Sequence, residues 1–352
     1  MEENPHAQRP QAAPSVKHGA AAAWGQLLRL PNLLTVPGDP LAGYLLAASV
    51  TAGTWIPFWH VLAAGAASLF LYAGGLVLND LCDLKEDRRD RPDRPLPSGR
   101  IPLRSAWAGY ALLTLGGLLL ASLASWVSLG VAVALLVVVA LYNRFAKRLA
   151  VVGPLTMGLC RGLSVLLGAA AVTWAKWERG LILLMFPLQT GWKELLDLVL
   201  SPIRAVAGTL TWPPVLVAAT GMTLYIAAVT QIARGETRRR SLGAARFLPA
   251  MILIAWFVVT DIVIGPRQIT ELVAFNVLAA AATGWAVYCA LRLEGAPEPP
   301  QVQRTVGRLI RGLLLIQAAL AALVALPGWI VAAVLLACWP IQAYLAKRFY
   351  SS

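Results

Sequence analysis

Carboxylates, histidines, cysteines and long polar stretches are all scarce in this chain, and each scarcity closes a class of function. Aspartate and glutamate total 17 against 30 lysines and arginines, a net charge of +13. The three histidines (His6, His18, His60) are dispersed, and the four cysteines (Cys82, Cys160, Cys289, Cys338) form no Cys-x-x-Cys pair. That dispersal argues against a zinc site and a disulfide framework. Charged residues make up 13% of the chain, where a soluble domain carries about 25%. No long polar break divides the apolar segments, so the length reads as one membrane domain rather than two soluble ones. The positive balance alone would suit nucleic acid. Its placement does not: the basic residues sit in short loops between apolar runs, as topology signals and contacts to anionic lipid.

Apolar residues are abundant, at 58% of the chain, with a mean hydropathy of +0.67. A helical span needs roughly 20 apolar residues. The pattern predicts spans at 25–50, 57–80, 104–123, 126–145, 153–174, 212–233, 246–265, 269–291, 307–326 and 328–346. This is an all-α polytopic bundle of nine or ten spans, the last two separated by Pro327-Gly328. The first span carries Pro31, Pro37, Gly38, Asp39 and Pro40 and should be kinked or broken. Residues 1–19, polar and carrying Pro5, Pro10 and Pro14, read as a disordered cytoplasmic tail. Residues 20–349 read as a single transmembrane domain, with 175–211 an amphipathic outer connection.

Basic residues follow the even spans: Lys85 to Arg104, Arg144 to Arg148, Arg234 to Arg246, and Arg292 to Arg308. That asymmetry places the N-terminus and these exits in the cytoplasm, and the arginine use suits a bacterial inner membrane. Trp55, Trp59, Trp126, Trp174, Trp177, Trp212 and Trp329 mark the outer interface. Asp261 and Arg267 are expected to pair there.

Against this background Asn79-Asp80-Leu81-Cys82-Asp83-Leu84-Lys85-Glu86-Asp87 is conspicuous. Carboxylates at the mouth of a membrane span are costly without a metal or a cationic partner. On a helix, Asn79, Asp83 and Asp87 repeat every fourth residue, and Asp80 joins that face three before Asp83. Such a face can hold Mg²⁺ through hard oxygen ligands, and Mg²⁺ can hold a diphosphate. The following loop supplies Arg88, Arg91, Arg94 and Arg100 as candidate phosphate donors. The bland alternative is a solvated loop balanced by its own salt bridges. Arg161 lies within the fifth span, where a cation is expensive; it either binds diphosphate or an acidic acceptor group, or pairs with Asp39. Asn32 and Asp39 either line a cavity or accommodate the break in the first span. Tyr72 and Tyr142 are candidates for cation–π stabilisation of a carbocation, or ordinary packing residues.

Three stretches together resemble the UbiA-type membrane prenyltransferases: Asn79-Asp80-x-x-Asp83-x-x-x-Asp87, Arg94-Pro95-Leu96-Pro97-Ser98-Gly99-Arg100, and Leu141-Tyr142-x-x-x-x-Lys147-Arg148. Gly153-Pro154-Leu155-Thr156-Met157-Gly158-Leu159-Cys160-Arg161-Gly162-Leu163-Ser164 is similar to the EboC-like branch, as is Tyr225-Ile226-Ala227-Ala228 leading to Arg234-Gly235-Glu236. The resemblance implies a helical bundle around a central lateral cavity. It further implies Mg²⁺-dependent transfer of a prenyl group from a polyprenyl diphosphate to an aromatic or other lipophilic acceptor. By that resemblance Asn79, Asp80, Asp83 and Asp87 would be metal ligands and Lys147 a diphosphate binder; with Arg161, singled out by its place within the fifth span, Asp80, Asp83 and Lys147 make up the expected catalytic set.

The family's second Asp-rich motif is missing. After the sixth span stand Thr230, Gln231, Arg234 and Glu236, where Glu236 is the sole carboxylate and the arginines offer direct neutralisation of diphosphate. A non-catalytic isoprenoid-lipid binder or transporter is therefore the alternative reading. A CDP-alcohol phosphotransferase is disfavoured, since 79–104 lacks its Asp-Gly…Ala-Arg arrangement.

Overall fold

The structure is a computed structural model that describes residues 19–49, 58–173, 208, 212–234, 241–265 and 267–350. The expected tail over 1–18 and nearly all of the outer connection 175–211 lie outside the described residues, as do Trp55, Trp174, Trp177 and Glu236. The described residues are helical, without strands.

The first predicted span is broken in three: α1 (Ala20–Leu27), α2 (Leu30–Leu33) and α3 (Gly38–Ala48). Arg29 makes the first break in a left-handed conformation, φ 49°, which costs a non-glycine residue on the order of 1–3 kcal/mol. Pro37, without an N–H to donate, leads into α3 after the second break. Then follow α4 (Trp59–Asp90), α5 (Leu103–Ala124), α6 (Trp126–Arg144), a 3₁₀ turn (Ala146–Arg148) and α7 (Val152–Ala171). The chain continues through α8 (Pro213–Ala233), a second 3₁₀ turn (Gly243–Phe247), α9 (Leu248–Ile264), α10 (Ile269–Leu291), α11 (Pro299–Arg311), α12 (Leu313–Ala322) and α13 (Ala325–Tyr350). Nine helices or helix runs among the described residues are long and apolar enough to cross a membrane. The broken first segment stands beside them. Large apolar side chains such as Ile262 (73% exposed) and Leu112 (71%) coat the outside, as a surface facing lipid requires.

Three boundaries depart from the sequence pattern. First, α4 does not stop near residue 80. At about 1.5 Å per residue its 32 residues span roughly 48 Å, well beyond a hydrocarbon core of about 30 Å. The Asp-rich segment is thus a helical extension into the aqueous side, not a loop. Second, the ninth crossing bends at Gly312, joining α11 to α12. The Leu309 carbonyl accepts from Tyr225 Oη at 2.8 Å there, and the Arg308 carbonyl, already bonded to Gly312 N, accepts also from Trp285 Nε1 at 2.8 Å. Third, the break before α13 falls at Leu323–Val324 instead of Pro327-Gly328, because proline is tolerated in a helix's first turn. Arg267 donates to the Leu323 carbonyl at that break, an orphan group of a helix end, rather than pairing with Asp261 as expected.

The middle of the bundle is α7, which packs chiefly on α8, α3 and α6. Glycine makes this possible. A Cβ on Gly158 would overlap the Thr223 carbonyl of α8, and one on Gly168 would overlap the Pro40 carbonyl of α3. Such small residues let backbones meet in a membrane, where the hydrophobic effect cannot draw helices together.

Candidate active site at the mouth of the cavity

A cavity of about 820 Å³ opens between α4, α6, α7, α8 and the broken first segment. Its deeper wall is largely apolar, with Leu71, Leu76, Leu135, Val139, Ile226 and Val229. Its mouth is charged, and three elements build it.

The first is the extension of α4. Asn79, Asp83 and Asp87 all face the cavity from successive turns, joined by Glu86 and Asp90. Asp80 departs from the expected face. One residue on from Asn79 it is turned by about 100°, lies 7% exposed outside the cavity wall, and stands 3.7 Å from Arg29. The second is the 3₁₀ turn after α6, which carries Lys147 to an ion pair with Asp83. The third is the Arg94–Arg100 turn. There Ser98 N and Oγ both donate to the Arg94 carbonyl, at 3.0 and 2.7 Å. Gly99 adopts φ +75°, and Leu96 and Ile101 are buried beside Leu27 of α1 and Val77 of α4. The turn is thereby pinned to the bundle, and it aims Arg94 Nη1 at Asp87 Oδ2, 2.7 Å away.

Each aspartate of the motif therefore already has a cation: Asp80 has Arg29, Asp83 has Lys147 and Asp87 has Arg94. The local salt bridges of the bland alternative exist, and those of Asp83 and Asp87 stand on the wall of a pocket. Arg91 and Asn32 also face the cavity. Two expected donors do not: Arg88 is exposed away from it, and Arg100 is spent on the turn, donating to the Asp93 carbonyl at 2.7 Å. Arg234, exposed at the end of α8, donates to the Leu149 carbonyl at 2.6 Å, beside the Lys147 turn. Thr230 lines the cavity from the same end, while Gln231 is exposed. Arg161 faces the cavity and also meets Asp39, Nε to Oδ2 at 2.8 Å. Arg29, Thr35, Ser68 and Ser164 line the cavity too, and sequence reasoning missed them. Only Arg29 left a signal, as a cation at the entrance of an apolar run.

Mg²⁺ prefers a small shell of hard oxygens, usually one or two carboxylates completed by phosphate and water. Asn79, Asp83 and Asp87 present such oxygens on one face and fit it. Among the described residues no three His, Cys, Asp or Glu side chains stand close enough to hold a metal unaided. An ion bound here would share its shell with a phosphorylated ligand.

Fold and mouth together define a class: an integral-membrane helical bundle with a charged mouth over a largely apolar cavity. The UbiA prenyltransferase family model matches residues 41–229, and the chain belongs to that family. It is 34% identical over 43% of its length to digeranylgeranylglyceryl phosphate synthase of Methanoculleus marisnigri, and 30% identical over 48% to that of Methanococcus aeolicus. The matches cover 52% and 58% of those proteins, so the chain spans about half the length of the curated relatives it matches. Two solved structures share the fold. One, from work on digeranylgeranylglyceryl phosphate synthase in membranes, has a TM-score of 0.52 at 19% identity, covering 86% of this chain and 99% of that one. The other, an apo UbiA homolog from Aeropyrum pernix K1, has a TM-score of 0.50 at 20% identity, covering 85% and 97%.

Proposed function

We propose that this protein is a Mg²⁺-dependent membrane prenyltransferase that moves a prenyl group from a polyprenyl diphosphate to a lipophilic acceptor. The supporting observation is the mouth itself: Asn79, Asp83, Asp87, Arg91, Arg94 and Lys147 converge on one opening of a cavity walled by aliphatic side chains. A prenyl diphosphate has that polarity, anionic at one end and hydrocarbon along the rest.

Asn79, Asp83 and Asp87 would hold the metal. When bound, Mg²⁺ supplies charge neutralisation for the diphosphate as a leaving group. Lys147 and Arg94 turn from their aspartates to phosphate oxygens as the headgroup enters. Charge-assisted contacts of this kind matter most when negative charge develops on the departing oxygen. The allylic C–O bond ionises, and the acceptor nucleophile captures the carbocation. Tyr142, which lines the cavity, stabilises that cation through its ring face, whereas the Tyr72 ring faces Arg161. Asp80 acts indirectly, holding Arg29 at the rim. In place of a second acidic motif, Arg91 on the cavity wall balances the diphosphate directly, and Arg234 braces the Lys147 turn through the Leu149 carbonyl. We assign the chain to the EboC-like branch on its Gly153–Ser164 run. We also place the mouth and N-terminus on the cytoplasmic side of a bacterial inner membrane, although the relatives reported above are archaeal. Those relatives are named for a glyceryl phosphate lipid, so glycerol lipids are tested beside aromatic acceptors.

The missing second acidic motif favours one competitor, a carrier that binds isoprenoid lipids without turnover. Purified protein incubated with labelled prenyl diphosphates of several lengths and Mg²⁺ separates the two. Pyrophosphate release by wild type but not by Asp83→Ala supports the enzyme. Binding without release supports the carrier, and absence of binding contradicts both.

A further inference from the structure

A second polar group lies in the cavity, well away from the mouth. Thr35 from the turn between α2 and α3, Ser68 and Tyr72 from α4, and Arg161 and Ser164 from α7 all line it. At about 1.5 Å per residue along α4, Tyr72 sits roughly 10 Å and Ser68 roughly 17 Å deeper than Asn79. A prenyl chain has no hydrogen-bonding atom to offer there. Polar atoms at this depth imply a ligand that does.

Their charge state defines that ligand. Arg161 Nε stands 2.8 Å from Asp39 Oδ2, and Asp39 Oδ1 accepts from Gln317 Nε2 at 2.6 Å. Only Oδ1 accepts a hydrogen bond, while Oδ2 and Nε meet as an ion pair, so the charges of Arg161 and Asp39 cancel. Asp39 is fully buried and lies behind the wall rather than on it. Arg161 also spends an N–H on the Thr35 carbonyl at 3.0 Å. What the group offers the cavity is therefore neutral. Ser68 and Ser164 share one hydrogen bond of 2.6 Å, which uses one of their two hydroxyl protons. Among the described residues the other proton has no acceptor, and the Tyr72 hydroxyl has no partner. An anion placed here would leave one uncompensated negative charge inside the bilayer.

We propose that Ser68, Tyr72 and Ser164, backed by the neutralised Arg161–Asp39 pair, form an acceptor subsite selective for an uncharged oxygen function. The matching substrate class is a lipophilic molecule with two neutral oxygens, such as a hydroquinone or a glycerol ether diol. The deep group holds one oxygen, and the other reaches toward the diphosphate end as the nucleophile. This assignment rests on the prenyl-transfer reading.

The test is equilibrium binding to the full chain in detergent with Mg²⁺, so that it does not depend on turnover. The probes are an unreactive polyprenyl diphosphate analogue, an alkyl-tailed hydroquinone, and that hydroquinone carrying a phosphate monoester on one oxygen. Wild type should bind the neutral hydroquinone at least about tenfold more tightly than its phosphate ester. Ser164→Ala should weaken hydroquinone binding by about fivefold to tenfold, the worth of one hydrogen bond, and leave the diphosphate analogue within about twofold. Asp39→Asn, which frees the Arg161 charge, should shift preference toward the phosphate ester; a merely structural role for Asp39 would weaken both ligands alike. If Asp39→Asn does not fold, Ser164→Ala decides. Equal or tighter binding of the ester by wild type, no hydroquinone binding, or an unaffected Ser164→Ala would overturn the subsite. Failure of wild type to bind the diphosphate analogue would instead overturn the prenyl-transfer reading, and the acceptor assignment with it.

Discussion

Arg88 and Arg94 look equivalent in the sequence: both are arginines a few residues beyond an aspartate motif. The structure separates them, since Arg94 meets Asp87 at 2.7 Å on the cavity wall and Arg88 points away from it. Arg94→Ala should lower kcat/KM by about 10²-fold, the usual cost of one electrostatic donor at a departing anion. Arg88→Ala should change it less than about threefold, as surface substitutions do. Steady-state pyrophosphate release measures both. Lys147→Ala should resemble Arg94→Ala in rate. It should also leave Asp83 without its cation, so the variant's diphosphate affinity depends more steeply on Mg²⁺ concentration. The cavity-facing set Asn79, Asp83 and Asp87 was legible because its four-residue repeat names a helix face by itself. Arg29, Ser68 and Ser164 were not legible. They come from three separate elements, and only packing brings them to one wall.

At the level of single elements, two backbone features carry the site. The Arg94–Arg100 turn needs Gly99 at φ +75°. Gly99→Ala should cost about 1–2 kcal/mol locally and misaim Arg94, so it should raise the KM for prenyl diphosphate while thermal unfolding in detergent moves little. The second feature is α7. Gly158→Leu would force α7 from α8 where Thr223 now touches it. Its expected outcome is a lower unfolding temperature together with loss of binding, because α7 also carries Arg161 and Ser164. The break in the first span was readable from Pro31, Pro37 and Pro40. The reach of α4 to Asp90 was not. Hydropathy marks where a helix leaves the membrane and says nothing about where it ends, and the charged residues 83–90 continue it in water. The bend at Gly312 was hidden for a similar reason, since Tyr225 and Trp285, which bond the carbonyls beside it, come from distant segments.

At the scale of the molecule, the nine membrane-length helix runs among the described residues and a broken first segment agree with the expected nine or ten spans. Long apolar stretches are the one fold signal a membrane makes nearly unambiguous. The proposed orientation has a direct check in Cys82, which is exposed on the α4 extension. In inside-out vesicles a membrane-impermeant maleimide should label Cys82, and in right-side-out vesicles it should not. The reverse pattern would put the mouth on the outer face. The whole account turns on whether the charged mouth is a working diphosphate site. Pyrophosphate release from a labelled polyprenyl diphosphate, followed with Mg²⁺ and then with EDTA in wild type and Asp83→Ala, measures that most directly. The account predicts release only by wild type with Mg²⁺ present. Equal release by Asp83→Ala, or release unaffected by EDTA, would contradict it.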